Sequence, residues 1–201
     1  DITIDMGAGN DTLDLGAAHD TDTGSSFSGG DGTDTLVISG TALVAGENSQ
    51  ISGFEVLNQE SNSITQDADN FAGVTFGTGN AAVNAYTLTN LKDDSVLNVN
   101  HTMTGNLSGT IKTDTASDAV TVNIGGTAGG ITLAGLVLST TYETVTVNSQ
   151  GTAANTLTAV ATNVINNMTF TGSTALTVSS TNNITGVVDF TGSTANNTVT
   201  V

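Results

Sequence analysis

The sequence predicts an all-β fold, a parallel β-solenoid of about nine coils. Three observations predict it. Glycine recurs about every 20 to 26 residues, which suits one coil per repeat. The segments between these glycines alternate apolar and polar residues, as half-buried strands do. Thr, Asn and Val, which are poor helix formers, are abundant. The recurring glycines are Gly9, Gly32, Gly53, Gly79, Gly105, Gly130, Gly151, Gly172 and Gly192.

Strand candidates follow one another along the whole chain. They are residues 1–6, 35–39, 95–99, 119–124, 143–148, 176–179 and 197–201. Residues 42–47 and 158–166 are able to form a helical turn or two, and no long helix is expected. Nine coils stacked at about 4.8 Å would give a rod on the order of 40 Å long.

Two internal repeats support stacked coils. Residues 168–174 (MTFTGST) return twenty residues later as 188–194 (VDFTGST). An aromatic-Glu-x-apolar step that would enter a strand occurs twice, in residues 53–58 (GFEVLN) and 141–146 (TYETVT), with Phe54 and Tyr142 as the aromatic residues. We expect these aromatic side chains to lie in the core at a corner of the coil.

Composition excludes several classes of function. The chain of 201 residues has 19 acidic residues against two lysines and no arginine, for a net charge of −17. Nucleic acid is excluded as a partner, because phosphate binding needs Lys and Arg. An anionic membrane surface is equally disfavoured. There is no cysteine, so disulfides and thiol catalysis are excluded.

The chain shows no targeting or membrane segment. It contains no apolar run of about 18 residues and starts at Asp1 without a basic, apolar leader. We therefore expect no membrane insertion. We also expect the sequence to be a piece of a longer protein.

Two N-terminal turns carry the clearest motif. Residues 29–37 (GGDGTDTLV) fit the pattern G-G-x-G-x-D-x-U-x, in which U is a large apolar residue, at every specified position. Residues 6–14 fit it with one departure, Met6 in place of the first glycine. Glycines allow tight turns that point carbonyl oxygens inward, and the aspartate adds a hard anionic oxygen. Such turns favour Ca²⁺.

The spacing of the two turns predicts where the cation binds. Asp11 and Asp34 are 23 residues apart, about one coil, so their turns should stack along one edge of the solenoid. We predict that both carboxylates bind the cation. Asp31, at a variable position of the motif, either adds a carboxylate or faces water. The backbone carbonyls predicted to complete six to eight oxygen ligands are those of Gly7, Gly9, Gly30 and Gly32.

On these residues the chain resembles the repeats-in-toxin (RTX) modules of secreted bacterial proteins, and among them the RTX-bearing surface-layer and large surface proteins. The resemblance implies a β-roll with Ca²⁺ held between successive coils, an extracellular location at the bacterial cell surface and export by type I secretion. The motif covers only about the first fifth of the chain. We therefore distinguish residues 1–40, RTX-like calcium-binding coils, from residues 41–201, which continue the same structural unit as Thr/Asn/Gly-rich repeats.

Other candidate sites are weaker. Residues 77–80 (GTGN) begin like a third copy, but alanines stand where the aspartate should follow. His19 lies near Asp20 and Asp22, and a loop histidine is the favoured interpretation. His101 has no accompanying metal-ligand or triad pattern, and no zinc motif or phosphate loop occurs.

Three classes of function are weighed. The leading one is a structural module of a calcium-stabilised surface-layer or matrix protein that self-associates into a lattice or filament, with cell-surface polysaccharide as a further partner. The second is an adhesin stalk or an ice-binding solenoid, because T-x-T triplets recur; their uneven spacing argues against a strict register. The third, part of a polysaccharide-acting enzyme, is disfavoured because cationic residues are scarce. We expect no enzymatic activity.

Overall fold

The computed structural model describes residues 1–17, 24–60, 63–76, 85–126, 129–139, 142–160, 167–179 and 186–200. Over these residues the chain is a parallel β-solenoid of about seven turns with almost no helix. The predicted all-β solenoid is therefore confirmed. No helix among the described residues is long and apolar enough to cross a membrane.

The strands form three parallel sheets. The nine-stranded sheet contains β2 (Thr12–Asp14), β4 (Thr35–Ile38), β6 (Val56–Gln59), β8 (Gly73–Phe76), β10 (Ser95–Val99), β12 (Ala119–Ile124), β14 (Thr144–Ser149), β16 (Asn167–Gly172) and β18 (Val187–Ser193). The seven-stranded sheet contains β7 (Ile64–Asp67), β9 (Tyr86–Leu91), β11 (Met103–Ile111), β13 (Thr132–Leu138), β15 (Asn155–Leu157), β17 (Leu176–Ser179) and β19 (Thr198–Thr200). The three-stranded sheet contains β1 (Thr3–Asp5), β3 (Ser26–Ser28) and β5 (Ile51–Ser52).

Successive strands alternate between sheets, so each coil adds one strand to the nine-stranded sheet and one to a second sheet. That second sheet is the three-stranded one as far as β5 and the seven-stranded one from β7 onward. The seven strand candidates all correspond to observed strands, with bounds shifted by at most two residues. The candidate helix at 42–47 is a single short helix, α1 (Ala45–Asn48). The candidate at 158–166 is not helical at 158–160, and residues 161–166 lie outside the described ones.

The period-two pattern explains which side chains form the core. In β12 the apolar Val120, Val122 and Ile124 are buried while the residues between them face outward. Phe54 and Tyr142 are also buried, which confirms the expected core aromatics. In the repeated C-terminal segments, the rings of Phe170 and Phe190 stack with centroids 4.5 Å apart.

Outward-facing polar side chains are aligned in columns along the nine-stranded sheet. Asn123 donates a hydrogen bond to the Asn98 side chain at 2.7 Å, and Asn148 donates to Asn123 at 2.9 Å. The strands keep one register although the loops between them differ in length, so Thr121, Thr146 and Thr169 also stack. The T-x-T triplets of β14 and β16, however, are offset by two residues: Thr146 pairs with Thr169, whereas Thr144 pairs with Asn167. The expectation that uneven spacing argues against a strict register of the triplets therefore holds for these two strands. The loops absorb the difference in length.

Candidate metal centre

The two glycine turns lie one above the other at the N-terminal end of the solenoid. Strands β2 and β4 pair in parallel with Thr12 opposite Thr35. The residues immediately before them, Asp11 and Asp34, therefore occupy equivalent places in adjacent coils. The stacking that the 23-residue spacing predicts is present.

The backbones of the two turns are joined directly. The Asp31 N–H donates to the Gly7 carbonyl, and the Asp31 carbonyl accepts from the Gly9 N–H, both at 2.8 Å. Gly30 and Gly32 have φ angles of +99° and +149°. A Cβ at either position would collide with the carbonyl of Gly7 or Gly9 in the coil below. These two positions therefore require glycine both for the conformation and for the close approach of the coils.

The two predicted carboxylates are close neighbours. Asp34 is completely buried, and its Oδ1 accepts a hydrogen bond from the Asp11 N–H at 2.7 Å. The Oδ2 atoms of Asp11 and Asp34 are also buried, and neither has a hydrogen-bond partner among the described residues. A buried polar atom without a partner is costly and calls for an explanation such as a bound ion.

A third carboxylate belongs to the same stack. Glu55, in the next coil, accepts a hydrogen bond from the Asp34 N–H through Oε2 at 2.9 Å. We call Asp11, Asp34 and Glu55 the N-terminal acidic column. Asp31, whose role the sequence left open, has an exposed side chain and makes its contacts to the neighbouring turn through its backbone.

A similar stack lies in the middle of the chain, and we call Asp93, Asp118 and Glu143 the central acidic column. The Asp118 N–H donates to Glu143 Oε2 at 2.8 Å, and the Ala119 N–H donates to Asp93 Oδ1 at 2.8 Å. Asp118 is completely buried, like Asp34. Its two carboxylate oxygens, however, accept hydrogen bonds from the N–H and the hydroxyl of Thr115 at 2.6 and 2.7 Å. The protein itself satisfies this carboxylate.

The corner aromatic of the central column carries a buried hydroxyl. Burial raises the pKa of Tyr142 well above its usual value, and the nearby carboxylates of Asp118 and Asp93 raise it further. The Tyr142 hydroxyl has no hydrogen-bond partner in the part of the chain that the structure describes. The corresponding residue of the N-terminal column is Phe54, which has no such group.

His101 adds no metal ligand to these columns. His101 Nδ1 lies 3.2 Å from the Phe76 carbonyl oxygen. Burial lowers the pKa of His101, and the hydrogen bond to Phe76 opposes this in part. His19 and residues 77–80 lie outside the described ones. Within the described ranges, no three His, Cys, Asp or Glu side chains gather as a metal cluster. A cation at Asp11 and Asp34 would therefore need backbone oxygens as well.

Sequence reasoning missed Glu55 and the whole central column as parts of acidic stacks. The available signal was the repeated aromatic-glutamate step, because Glu55 and Glu143 play the same part in the two columns. No protein-family model, curated protein or solved structure matches this chain. Its function is therefore inferred from its own residues.

Proposed function

We propose that this chain is a structural module of a secreted, calcium-stabilised bacterial surface-layer or extracellular matrix protein of the RTX type, which self-assembles at the cell surface. The observation that carries the proposal is the stacked pair of Asp11 and Asp34 in glycine turns, each with a buried and unpartnered Oδ2 among the described residues. Two such oxygens in adjacent coils fit a hard divalent cation.

The oxygen atoms available at this site suit calcium. It accepts six to eight oxygen ligands in flexible geometry, and carboxylates and backbone carbonyls are its usual donors in proteins. The two carboxylates would bind it, with the carbonyls of the glycine turns as further donors. The Gly7 carbonyl already accepts one hydrogen bond, which leaves it one lone pair. The chain has only two lysines to balance 19 acidic residues, and Lys112 is paired with Asp69 at 2.6 Å.

The proposed mechanism couples folding to metal binding. Where free calcium is scarce, the unneutralised acidic turns keep the N-terminal coils loose, as export of an unfolded chain by type I secretion requires. Outside the cell, calcium neutralises the turns and holds adjacent coils together. One site contributes about 2.7 kcal/mol of stability when the free calcium concentration is about 100 times its dissociation constant.

The number of coils, the extent of the calcium site and the partners are proposed from the sequence. We propose about nine coils, one for each strand of the nine-stranded sheet, against the about seven turns described above. Calcium binds in residues 1–40, and residues 41–201 extend the rod without metal, as the asparagine column illustrates. The partners are other copies of the chain, in a lattice or filament, and cell-surface polysaccharide. Nucleic acid binding, membrane insertion and catalysis are not part of the proposed function.

A calcium titration tests this function. We expect calcium to increase the far-UV circular dichroism of the β-structure, and light scattering to show growth in particle size at the same concentrations. The double variant Asp11→Asn/Asp34→Asn should need far more calcium for both effects. A wild-type chain that is fully β-structured in chelator and indifferent to calcium would contradict the proposal.

A second candidate, an ice-binding or adhesin solenoid, is favoured by one observation. On the outward face of the nine-stranded sheet, Thr121, Thr146 and Thr169 stack in register beside the asparagine column. Strands spaced at about 4.8 Å give such a column a regular repeat. If this face binds ice, the wild type inhibits ice recrystallisation in chelator, and Thr146→Tyr abolishes the inhibition. Equal and negligible inhibition by both proteins would remove this candidate.

A further inference from the structure

Glu55 lies next to the calcium site proposed above, one coil beyond the sequence motif. Val56 pairs with Thr35 across β6 and β4, which places Glu55 beside Asp34. The Glu55 and Val56 N–H groups both donate to the Asp34 carbonyl, at 3.1 and 3.0 Å. In return, the Asp34 N–H donates to Glu55 Oε2 at 2.9 Å. The third coil therefore holds both backbone polar groups of Asp34.

The side chain of Asp34 points back toward the first coil. Its Oδ1 is bound to the Asp11 N–H at 2.7 Å, and the residue has no exposed surface. A Cβ on Gly29 would lie 2.7 Å from Asp34 Cβ and 2.9 Å from Asp34 Oδ2, so the carboxylate packs directly against the glycine backbone. The unpartnered Oδ2 is thus held in one place by contacts on both sides.

Two hydrogen bonds connect the third coil to the first through Asp34: its N–H donates to Glu55, and its Oδ1 accepts from the Asp11 N–H. A hydrogen bond from an amide to a carboxylate is among the stronger ones, because the acceptor is charged. Without the Glu55 carboxylate, the Asp34 N–H would lose its acceptor, and the third coil would hold the Asp34 backbone through its carbonyl alone.

We propose that Glu55 is a positioning residue of the calcium site, so that the site is complete only when the third coil is in place. The inference rests on the calcium-binding function proposed above. A second observation besides the acidic residues themselves supports it, namely the completely buried Asp34 with its unpartnered Oδ2 among the described residues. Partners of metal ligands commonly affect metal affinity tenfold to a hundredfold.

The central acidic column provides a matched control. The Asp118 N–H donates to Glu143 at 2.8 Å, the same bond as that between Asp34 and Glu55. Because Thr115 satisfies the Asp118 carboxylate, this bond positions no free oxygen. Removing the Glu143 carboxylate should therefore cost a comparable hydrogen bond without changing calcium affinity.

The test is calorimetric titration of CaCl₂ into the full chain of 201 residues, wild type, Glu55→Ala, Glu55→Gln and Glu143→Ala. We expect Glu55→Ala to weaken calcium binding by about tenfold or more. Glu55→Gln should stay within about threefold of the wild type, because its amide oxygen still accepts the Asp34 N–H hydrogen bond. Glu143→Ala should bind like the wild type. If Glu55→Ala does not fold by circular dichroism, Glu55→Asp replaces it and should also lose affinity, because its carboxylate is one methylene too short.

The outcomes separate the two proposals. A wild type that binds no calcium overturns the proposed function and this inference together. A wild type that binds calcium while Glu55→Ala or Glu55→Asp binds it equally well overturns this inference alone. Equal losses in Glu55→Gln and Glu55→Ala would also overturn it, because Glu55 would then act through its charge and not by orienting Asp34.

Discussion

The N-terminal and central acidic columns are built alike and differ in one chemical respect. Each contains a completely buried aspartate whose N–H donates to a glutamate in the next coil. In the central column the threonine three residues earlier donates to both carboxylate oxygens. In the N-terminal column glycine turns surround the aspartate, and one of its oxygens has no donor in the described part of the chain. Thr115 completes this scaffold in the central column, and we propose that a cation completes it in the N-terminal column.

We propose that this difference separates coils that depend on calcium from coils that do not. A coil whose carboxylate is satisfied by its own side chains folds without metal. A coil that leaves a buried oxygen unpaired carries a cost until a cation arrives. Asp11 and Asp34 are therefore proposed to make the N-terminal coils conditional on calcium, while the rest of the rod is not.

The largest expected effect concerns the glycine turns of the N-terminal column. Gly30→Ala should destabilise the chain on the order of 3 kcal/mol, because the new Cβ would collide with the Gly7 carbonyl at a position with positive φ. Gly7→Ala is the matched control. Gly7 also has a positive φ, +87°, but open space around it, so its substitution should cost only about 1 to 2 kcal/mol. Urea unfolding measures both, and equal losses would show that coil contact at Gly30 is unimportant.

The next effect compares the same substitution in the two columns. Asp118→Asn should lose about 1 to 3 kcal/mol with or without calcium, because an amide N–H₂ would face a Thr115 donor. Asp34→Asn should be neutral or slightly stabilising in chelator, since its amide oxygen can still accept the Asp11 N–H and the loss of a buried negative charge offsets the burial of an unpartnered amide N–H₂. In calcium, Asp34→Asn should not show the increase in the free energy of unfolding that the wild type shows. Similar losses for both variants in chelator would mean that the two carboxylates are equally satisfied.

A smaller effect is expected at the corner aromatics. Tyr142→Phe should raise the free energy of unfolding by about 1 kcal/mol, because it removes a buried hydroxyl without a partner among the described residues. The reverse change at the equivalent place, Phe54→Tyr, should lower it, since Phe54 is buried and a hydroxyl there would be introduced into the core. Thermal unfolding in chelator measures both. A loss of stability in Tyr142→Phe would show that the hydroxyl is satisfied.

The smallest effect is a dependence on pH that does not involve the columns. The pKa of His101 in the folded chain is below its usual value of 6.5. The unfolded chain therefore binds more protons than the folded chain as the pH falls through that value. Stability should therefore decrease as pH falls from 7 to 5.5. His101→Gln should remove this part of the dependence, and urea unfolding at both pH values measures the difference between the two proteins. If the wild type and His101→Gln show the same dependence of stability on pH, His101 is as easy to protonate in the folded chain as in the unfolded chain.

Much of the fold could be predicted because its signals are local. Alternation within single segments located seven of the nineteen strands among the described residues, some of them to the residue, as at Ser95–Val99 and Ala119–Ile124. The glycine motif and its 23-residue spacing predicted that Asp11 and Asp34 stack. The change of second sheet between β5 and β7 had no such signal, because it depends on how whole coils pack.

The remainder of the candidate site depended on contacts between coils. Glu55 lies outside the motif, and only the register of β4 and β6 brings it to Asp34. The satisfaction of Asp118 depends on a turn that returns Thr115 to its carboxylate, which no spacing rule foretold. The column of Thr121, Thr146 and Thr169 was not predicted for the same reason, since pairing between strands sets it.

We propose that calcium stabilises the N-terminal column and leaves the central one unchanged. Amide hydrogen exchange of the wild-type chain, measured in calcium and in chelator, tests it most directly. We expect calcium to slow exchange at the Asp11 and Asp34 amides, which donate to carboxylates of the N-terminal column, and to leave the Asp118 and Ala119 amides unaffected. Exchange that calcium leaves unchanged at all four amides, or slows equally at all four, would contradict it.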